Sequence, residues 1–228
     1  MIAAELTLGR VDRLTLRDRV IESLREAILQ GDLVPGTRLT EVKLSEEMGV
    51  SRGTIREAVL RLAQEHLILI RPRHGAEVRR LTSQELLDIY AVRGELEGLA
   101  ARLAAARPRK EKERVLNERL KRMADSKMKP FLEQLAADIA FHEAICELSA
   151  NEWLLATWRL LSGPIRGALV SAGPMLVQPR QTLEHHRLVA STIIAGRAEE
   201  AAAILVGHLR ASGEEQSTGM RLREGGGD

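Results

Sequence analysis

The chain has 228 residues, 44% of them hydrophobic and 29% charged, a composition that supports a folded core and excludes a disordered chain. A net charge of +2 excludes a generally basic nucleic-acid coat, and a single cysteine, Cys146, excludes an internal disulfide framework and suits a reducing, cytoplasmic setting. No apolar run approaches the ~20 residues a membrane helix needs, and the first residues lack a signal-peptide core, so no membrane partner is expected.

Residues 1–14 show no period and read as a loose arm carrying Arg10 and Arg13. Thr15 is placed to cap a helix reaching about Gln30, with Val20, Ile21, Leu24, Ala27 and Ile28 inward and Gly31 just past its end. Pro35 and Gly36 make a turn, and Thr40 is placed to cap the next helix. The stretch Leu44 to Leu62, LSEEMGVSRGTIREAVLRL, reads as two short helices broken at Met48, Gly49 and Val50 and restarted by Ser51, a good N-cap. Ile55, Ala58, Val59 and Leu62 form the apolar face of the second helix, while Arg52, Thr54 and Arg56 occupy its first turns. Two short strands follow, His66 to Ile70 and Ala76 to Arg80, joined by RPRHG, whose tip carries Arg71, Arg73 and His74. The order is that of a winged helix-turn-helix over residues 15–80, whose second helix would read the major groove. Between Arg52 and Arg80 seven basic residues face three acidic ones, so positive charge gathers where phosphates would lie. Every aromatic residue lies beyond residue 80, which leaves no platform for unpaired bases and favours double-stranded DNA.

From residue 81 to 212 the pattern is helical throughout, so the fold class is mainly α, with an all-α bundle after the winged helix. The first of these helices runs from Gln84 to Ala106 with Leu86, Ile89, Tyr90, Leu96, Leu99 and Leu103 on its broad inward side; residues 213–228, polar and glycine-rich, read as a flexible tail. Several inward positions are ionisable. Asp138 and His142 lie one turn apart on the stripe of Phe131, Leu135 and Ile145, His186 shares a face with Leu183, Ala190 and Ile193, and His208 shares one with Ala201, Ile204 and Leu205. By spacing alone two readings stand: a carboxylate and three imidazoles around a transition metal, or core histidines satisfied one by one, His142 by Asp138. His185 is rotated off the stripe, and Cys146 reads as a small core residue. No HExxH, nucleophile elbow or paired inward Glu is present, so the chain is not expected to be an enzyme.

With these residues laid out, the sequence resembles GntR-family transcriptional regulators of the FadR type, which carry a helical ligand-binding domain called FCD. The N-terminal resemblance rests on LSEEMGVSRGTIREAVLRLAQEHLI and RHGAEV, the C-terminal one on VRGELEGLAARLAA, DIAFHEAI, HRLVASTIIAG and the final GHL. It implies a homodimer on operator DNA, contacted by Ser51, Arg52, Thr54 and Arg56 of the reading helix and by His74 and Gly75 of the wing. Many relatives have Arg where this chain has Val42, so that contact is expected either to be missing or to be supplied by Lys43 or Arg38. The resemblance also implies a metal on Asp138, His142, His186 and His208, zinc first with nickel or manganese open. A small carboxylate effector beside it would be clamped by Arg93, which could otherwise pair with Glu97 on the helix surface. The alternatives are a DNA-binding protein whose metal is purely structural and a metal-dependent enzyme fused to a DNA-binding module.

Overall fold

The computed structural model describes residues 15–172 and 179–224. The N-terminal arm with Arg10 and Arg13, and the last part of the expected tail, 225–228, lie outside the described residues.

Helix α1 (Leu16–Gln30) opens with a capping box, the Thr15 hydroxyl accepting from Asp18 N–H and the Asp18 carboxylate from Thr15 N–H, and closes at Gly31 with φ 88°. Helices α2 (Glu41–Met48) and α3 (Arg52–Gln64) are joined through Gly49, whose φ of 65° makes the tight turn. Ser51 caps α3 by accepting from Thr54 N–H at 3.1 Å. Thr40 occupies the N-cap position of α2 without a side-chain cap bond, so the expected hydroxyl cap there is not made. Val20, Leu24, Ile28, Leu44, Ile55, Ala58 and Leu62 meet in one small core beneath the sheet.

The wing has one strand more than expected. Strand β1 (Arg38–Leu39) pairs antiparallel with β3 (Gly75–Val78), which pairs antiparallel with β2 (Ile68–Arg71), giving the order β1-β3-β2. A two-residue strand is too short to show alternation, so only its partner reveals it. At the tip, Pro72 presets the turn and Arg73 takes φ 67°, with His74 N–H donating to the Arg71 carbonyl at 3.1 Å.

A second core lies among α4 (Ser83–Ala105), α5 (Arg109–Ser126), α6 (Phe131–Leu148), α7 (Glu152–Ala172), α8 (Pro179–Ile194) and α9 (Ala198–Glu224). Helices α4 and α9 pack so closely that small residues are required between them: a methyl carbon added at Gly98 would lie 2.9 Å from Val206 Cγ2. Leu99 and Leu103, expected inward, are therefore 42% and 36% exposed, and the buried face of α4 is built from Tyr90, Arg93, Gly94, Glu97, Gly98, Ala101 and Ala104. The segment expected as a flexible tail departs most. Residues 213–224 continue α9, Gly213 seats against Tyr90, Ser217 is fully buried, and its hydroxyl donates to the Ser83 carbonyl at 3.0 Å. Polar side chains and glycine, which suggested solvent, here permit close helix contact.

The two units touch through α7. Its Gly163 sits against Leu67, 3.4 Å from where a Cβ would be, and Val170 lies against Gly31 at the end of α1. Across the connection, Arg79 donates to Glu85 at 2.7 Å, and Glu85 also completes the capping box of α4 with Thr82. No helix among the described residues is long and apolar enough to cross a membrane.

Candidate functional site

The helical unit brings its expected ligands together. His142 from α6, His186 from α8 and His208 from α9 each offer one ring nitrogen, and these lie within 4.8 Å of one another. His142 Nε2 is 3.1 Å from His186 Nε2, and Asp138 Oδ1 is 3.2 Å from the same nitrogen. Asp138 Oδ2 stands 3.9 Å from His142 Nε2. The periodicity explains the convergence: Asp138 and His142 are one turn apart on α6, and the apolar neighbours of His186 and His208 turn those helices inward.

The group behind His142 is Glu97, fully buried on α4. Its carboxylate accepts from Arg93 Nε, from His142 Nδ1 and, at 2.7 Å, from the indole of Trp158. Burial pushes the Glu97 carboxyl up, but Arg93 and His142 outweigh it and hold the group at about 2. Burial likewise lowers the His142 imidazole despite Glu97. The Nδ1–H of neutral His142 thus points to Glu97, and its Nε2 lone pair points at Asp138 and His186, the carboxylate-to-imidazole arrangement that prepares a histidine for a cation. His208 is pushed down to about 3 by burial and then by the other imidazoles, so it too offers a lone pair. For Asp138, burial opposes and its histidine neighbours favour ionisation; the carboxyl lies well below the usual range. Three imidazoles and one carboxylate are a donor set that fits a divalent transition metal.

Beside this cluster lies a cavity of about 820 Å³, lined by Arg93, Asp138, His142, His208, Leu169 and Gln216 among others. Arg93 is 3% exposed and bonds Glu97 through Nε, while its Nη2 has no hydrogen-bond partner among the described residues. The pairing with Glu97 foreseen on the helix surface is therefore buried, and it leaves part of the guanidinium uncommitted. His185 is exposed at the rim, its ring stacked 5.5 Å from that of His208. The sequence pointed to neither Trp158 nor Gln216, and it placed Glu97 on the surface. The Arg93–Glu97 spacing of four was a usable signal, since both residues fall on the face that must meet α9.

The other candidate group sits on the winged helix. Arg52 is exposed at the first position of α3, and no carboxylate pairs with it among the described residues. Thr54 shares a 2.9 Å hydroxyl contact with Ser51. Arg56 is engaged by Glu41, through Nε at 2.8 Å and Nη2 at 2.7 Å, although both remain partly or fully exposed. Lys43 lies 3.8 Å from Glu47, Val42 is 43% exposed, and Arg38 is exposed on the edge strand β1. His74 and Gly75 are exposed at the wing tip beside Arg73.

Residues 16–78 match the gntR family of bacterial regulatory proteins, and residues 88–211 match the FCD domain. The chain belongs to the GntR family. It is a GntR transcriptional regulator of FadR-type architecture, with an N-terminal DNA-binding unit and a C-terminal FCD domain. Among its relatives, the "Probable D-xylose utilization operon transcriptional repressor" of Paenarthrobacter nicotinovorans is 29% identical over 209 residues, 91% of each chain. The Nta operon transcriptional regulator of Aminobacter aminovorans is 34% identical over 177 residues, covering 77% of this chain and 82% of its own. A GntR transcriptional regulator from Rhodococcus sp. RHA1 shares the fold with a TM-score of 0.74 at 23% identity, covering 89% of this GntR chain and 97% of that one.

Proposed function

We propose that this GntR regulator binds operator DNA as a cytoplasmic homodimer and that a small carboxylate in the FCD cavity, beside a divalent metal, sets its operator affinity. The observation that carries the effector reading is the buried Arg93 guanidinium, whose Nη2 has no partner among the described residues and whose side chain helps line the same cavity as Asp138, His142 and His208. A buried cation with a donor to spare is costly unless an anion completes it. Asp138, His142, His186 and His208 would hold the metal, with zinc first and nickel or manganese as alternatives. A bound divalent ion supplies positive charge for the carboxylate. Glu97 orients His142, and Trp158 ties Glu97 to α7, the helix that also touches Leu67 and α1 of the DNA-binding unit. A ligand that repacks Arg93 and Glu97 thereby bears on the helix that carries the winged unit, and a small rotation between two copies changes the fit to half-sites.

On the DNA side, Arg52 is the base-reading residue, able to meet guanine O6 and N7 with two parallel bonds. Ser51, Thr54, Arg56, Lys43 and Arg38 set register on phosphates, with His74 and Gly75 in the adjoining groove. Exposed Val92, Leu99 and Leu103 on α4 and Trp153 and Leu160 on the adjoining α7 supply apolar surface for the second copy.

The test joins three measurements. Elemental analysis of protein purified without chelator should find near-stoichiometric metal, lost in His142→Ala and in His208→Ala. Carboxylates should raise the melting temperature of the metal-loaded protein and shift its binding to captured operator fragments. Metal without any carboxylate response would reduce the site to a structural one, and a monomer in sedimentation at micromolar concentration would remove the dimer.

A further inference from the structure

The matched FCD segment ends at residue 211, yet α9 runs on to Glu224. That extension is part of the cavity wall. Ser212, Glu215 and Gln216 line the cavity, and Gln216 is only 8% exposed. Its side chain neighbours the phenol of Tyr90, while Oε1 has no hydrogen-bond partner among the described residues. Among the described residues, the buried side-chain atoms without a partner on the residues lining this cavity are an acceptor, Gln216 Oε1, and a donor, Arg93 Nη2, and they do not bond each other. Both side chains gather around Tyr90: the Arg93 guanidinium carbon stands 5.6 Å from its ring centroid.

We infer that Gln216 is a specificity-determining residue of the effector site, accepting a hydrogen bond from a hydroxyl group of a hydroxycarboxylate whose carboxylate is held by Arg93. The inference rests on the carboxylate reading above. An orphaned buried carbonyl oxygen requires a donor from whatever fills the cavity. Two common donors are hydroxyl and ammonium, and the electrostatics decide between them. Arg93 stands over the ring of the same Tyr90 that Gln216 neighbours, so an ammonium at Gln216 would stand near a like charge in a poorly solvated site, whereas a hydroxyl carries no such cost. Keto acids and unsubstituted acids leave Oε1 unpaired.

The amide is also held in place. Gly213 seats α9 against Tyr90, and the next residue after Gln216, Ser217, is fully buried with its hydroxyl on the Ser83 carbonyl at the start of α4. Gln216 thus stands on a packed helix, which is what discrimination between a hydroxyl and a hydrogen requires.

The experiment is calorimetric titration of the full-length, metal-loaded protein with matched acids: malate, succinate and aspartate; 3-hydroxybutyrate and butyrate; lactate, propionate and alanine. Within at least one set the hydroxy acid should bind about tenfold or more tightly than its unsubstituted and amino counterparts. Gln216→Leu, checked by circular dichroism for an unchanged fold, should bring the hydroxy and unsubstituted acids within about threefold while the unsubstituted acid keeps its affinity. Acids that bind wild type with no preference for the hydroxyl overturn the inference and leave the carboxylate reading standing, and this arm needs no variant. A preference that survives in Gln216→Leu assigns the hydroxyl to another group, the metal included, and overturns it too. If none of the acids binds, both the carboxylate reading and the role of Gln216 fall.

Discussion

Replacing Gly213 by alanine is expected to destabilise the protein even though alanine is the better helix former. The added methyl carbon would lie 2.8 Å from Cβ and 2.9 Å from Cγ of Tyr90, distances at which one helix has to move. Tyr90 is buried, and these atoms form the root of its ring, so no change of rotamer relieves the contact. Overpacking of this kind costs about 1–3 kcal/mol, and two contacts inside 3 Å place the cost toward the upper end. Helix propensity returns about 1 kcal/mol, leaving a net loss of about 1–2 kcal/mol and a Tm lower by roughly 2–8 °C. Gly207, in the same helix, provides the internal control. No atom lies within 4 Å of its added Cβ, and the residue is exposed. Gly207→Ala should therefore raise Tm by roughly 2–4 °C. Thermal melts of the two variants beside wild type read the difference in sign. If Gly213→Ala melts at or above wild type, residues 213–224 do not pack on α4, and the flexible tail expected from composition is the better description.

Two further substitutions probe the two units separately. Arg52→Ala should cost about 1–3 kcal/mol of operator binding and relax preference at one base pair, read by fluorescence anisotropy on a panel of single-base variants. Arg56→Ala should lower affinity evenly across the panel, because Glu41 already engages its guanidinium; unchanged selectivity in Arg52→Ala would remove that residue from base recognition. In the FCD domain, Glu97→Gln leaves Arg93 buried without its carboxylate and should destabilise the protein by about 3–5 kcal/mol, measured by urea unfolding. Stability within about 1 kcal/mol of wild type would mean that water reaches Arg93 and that the pair is not desolvated as described.

The winged helix was legible because its signals are local. Glycine turns, a serine cap and apolar residues every three or four positions each act within one or two turns of chain, and α1, α2 and α3 follow them closely. β1 was hidden for the opposite reason, since Arg38 and Leu39 become a strand only through Glu77 and Ala76, far along the chain. The same contrast separates α9 from its end. Up to residue 212 its inward face is apolar apart from His208; beyond that the buried residues are Gly213, Gln216 and Ser217, and composition cannot distinguish a glycine that loosens a chain from one that lets two helices touch.

The candidate metal ligands show how far periodicity reaches toward a site. Asp138, His142, His186 and His208 were identifiable one helix at a time, because an ionisable group on an apolar stripe costs free energy unless something in the interior answers it. That they answer each other depends on the packing of α6, α8 and α9, which no single helix encodes. Glu97 was misjudged by the same logic used on one side only. Its spacing of four from Arg93 fits a surface ion pair, but the glycines at 94 and 98 lie on the same face, and glycines repeated at that interval mark close approach of another helix. A charged pair on such a face is buried with it. Once buried, Glu97 has room for more donors than Arg93 alone, and His142 and Trp158 fill it, while Arg93 Nη2 is left without a partner among the described residues. The feature that most resembled a routine surface contact is the one that links the histidine cluster to the buried Arg93 guanidinium.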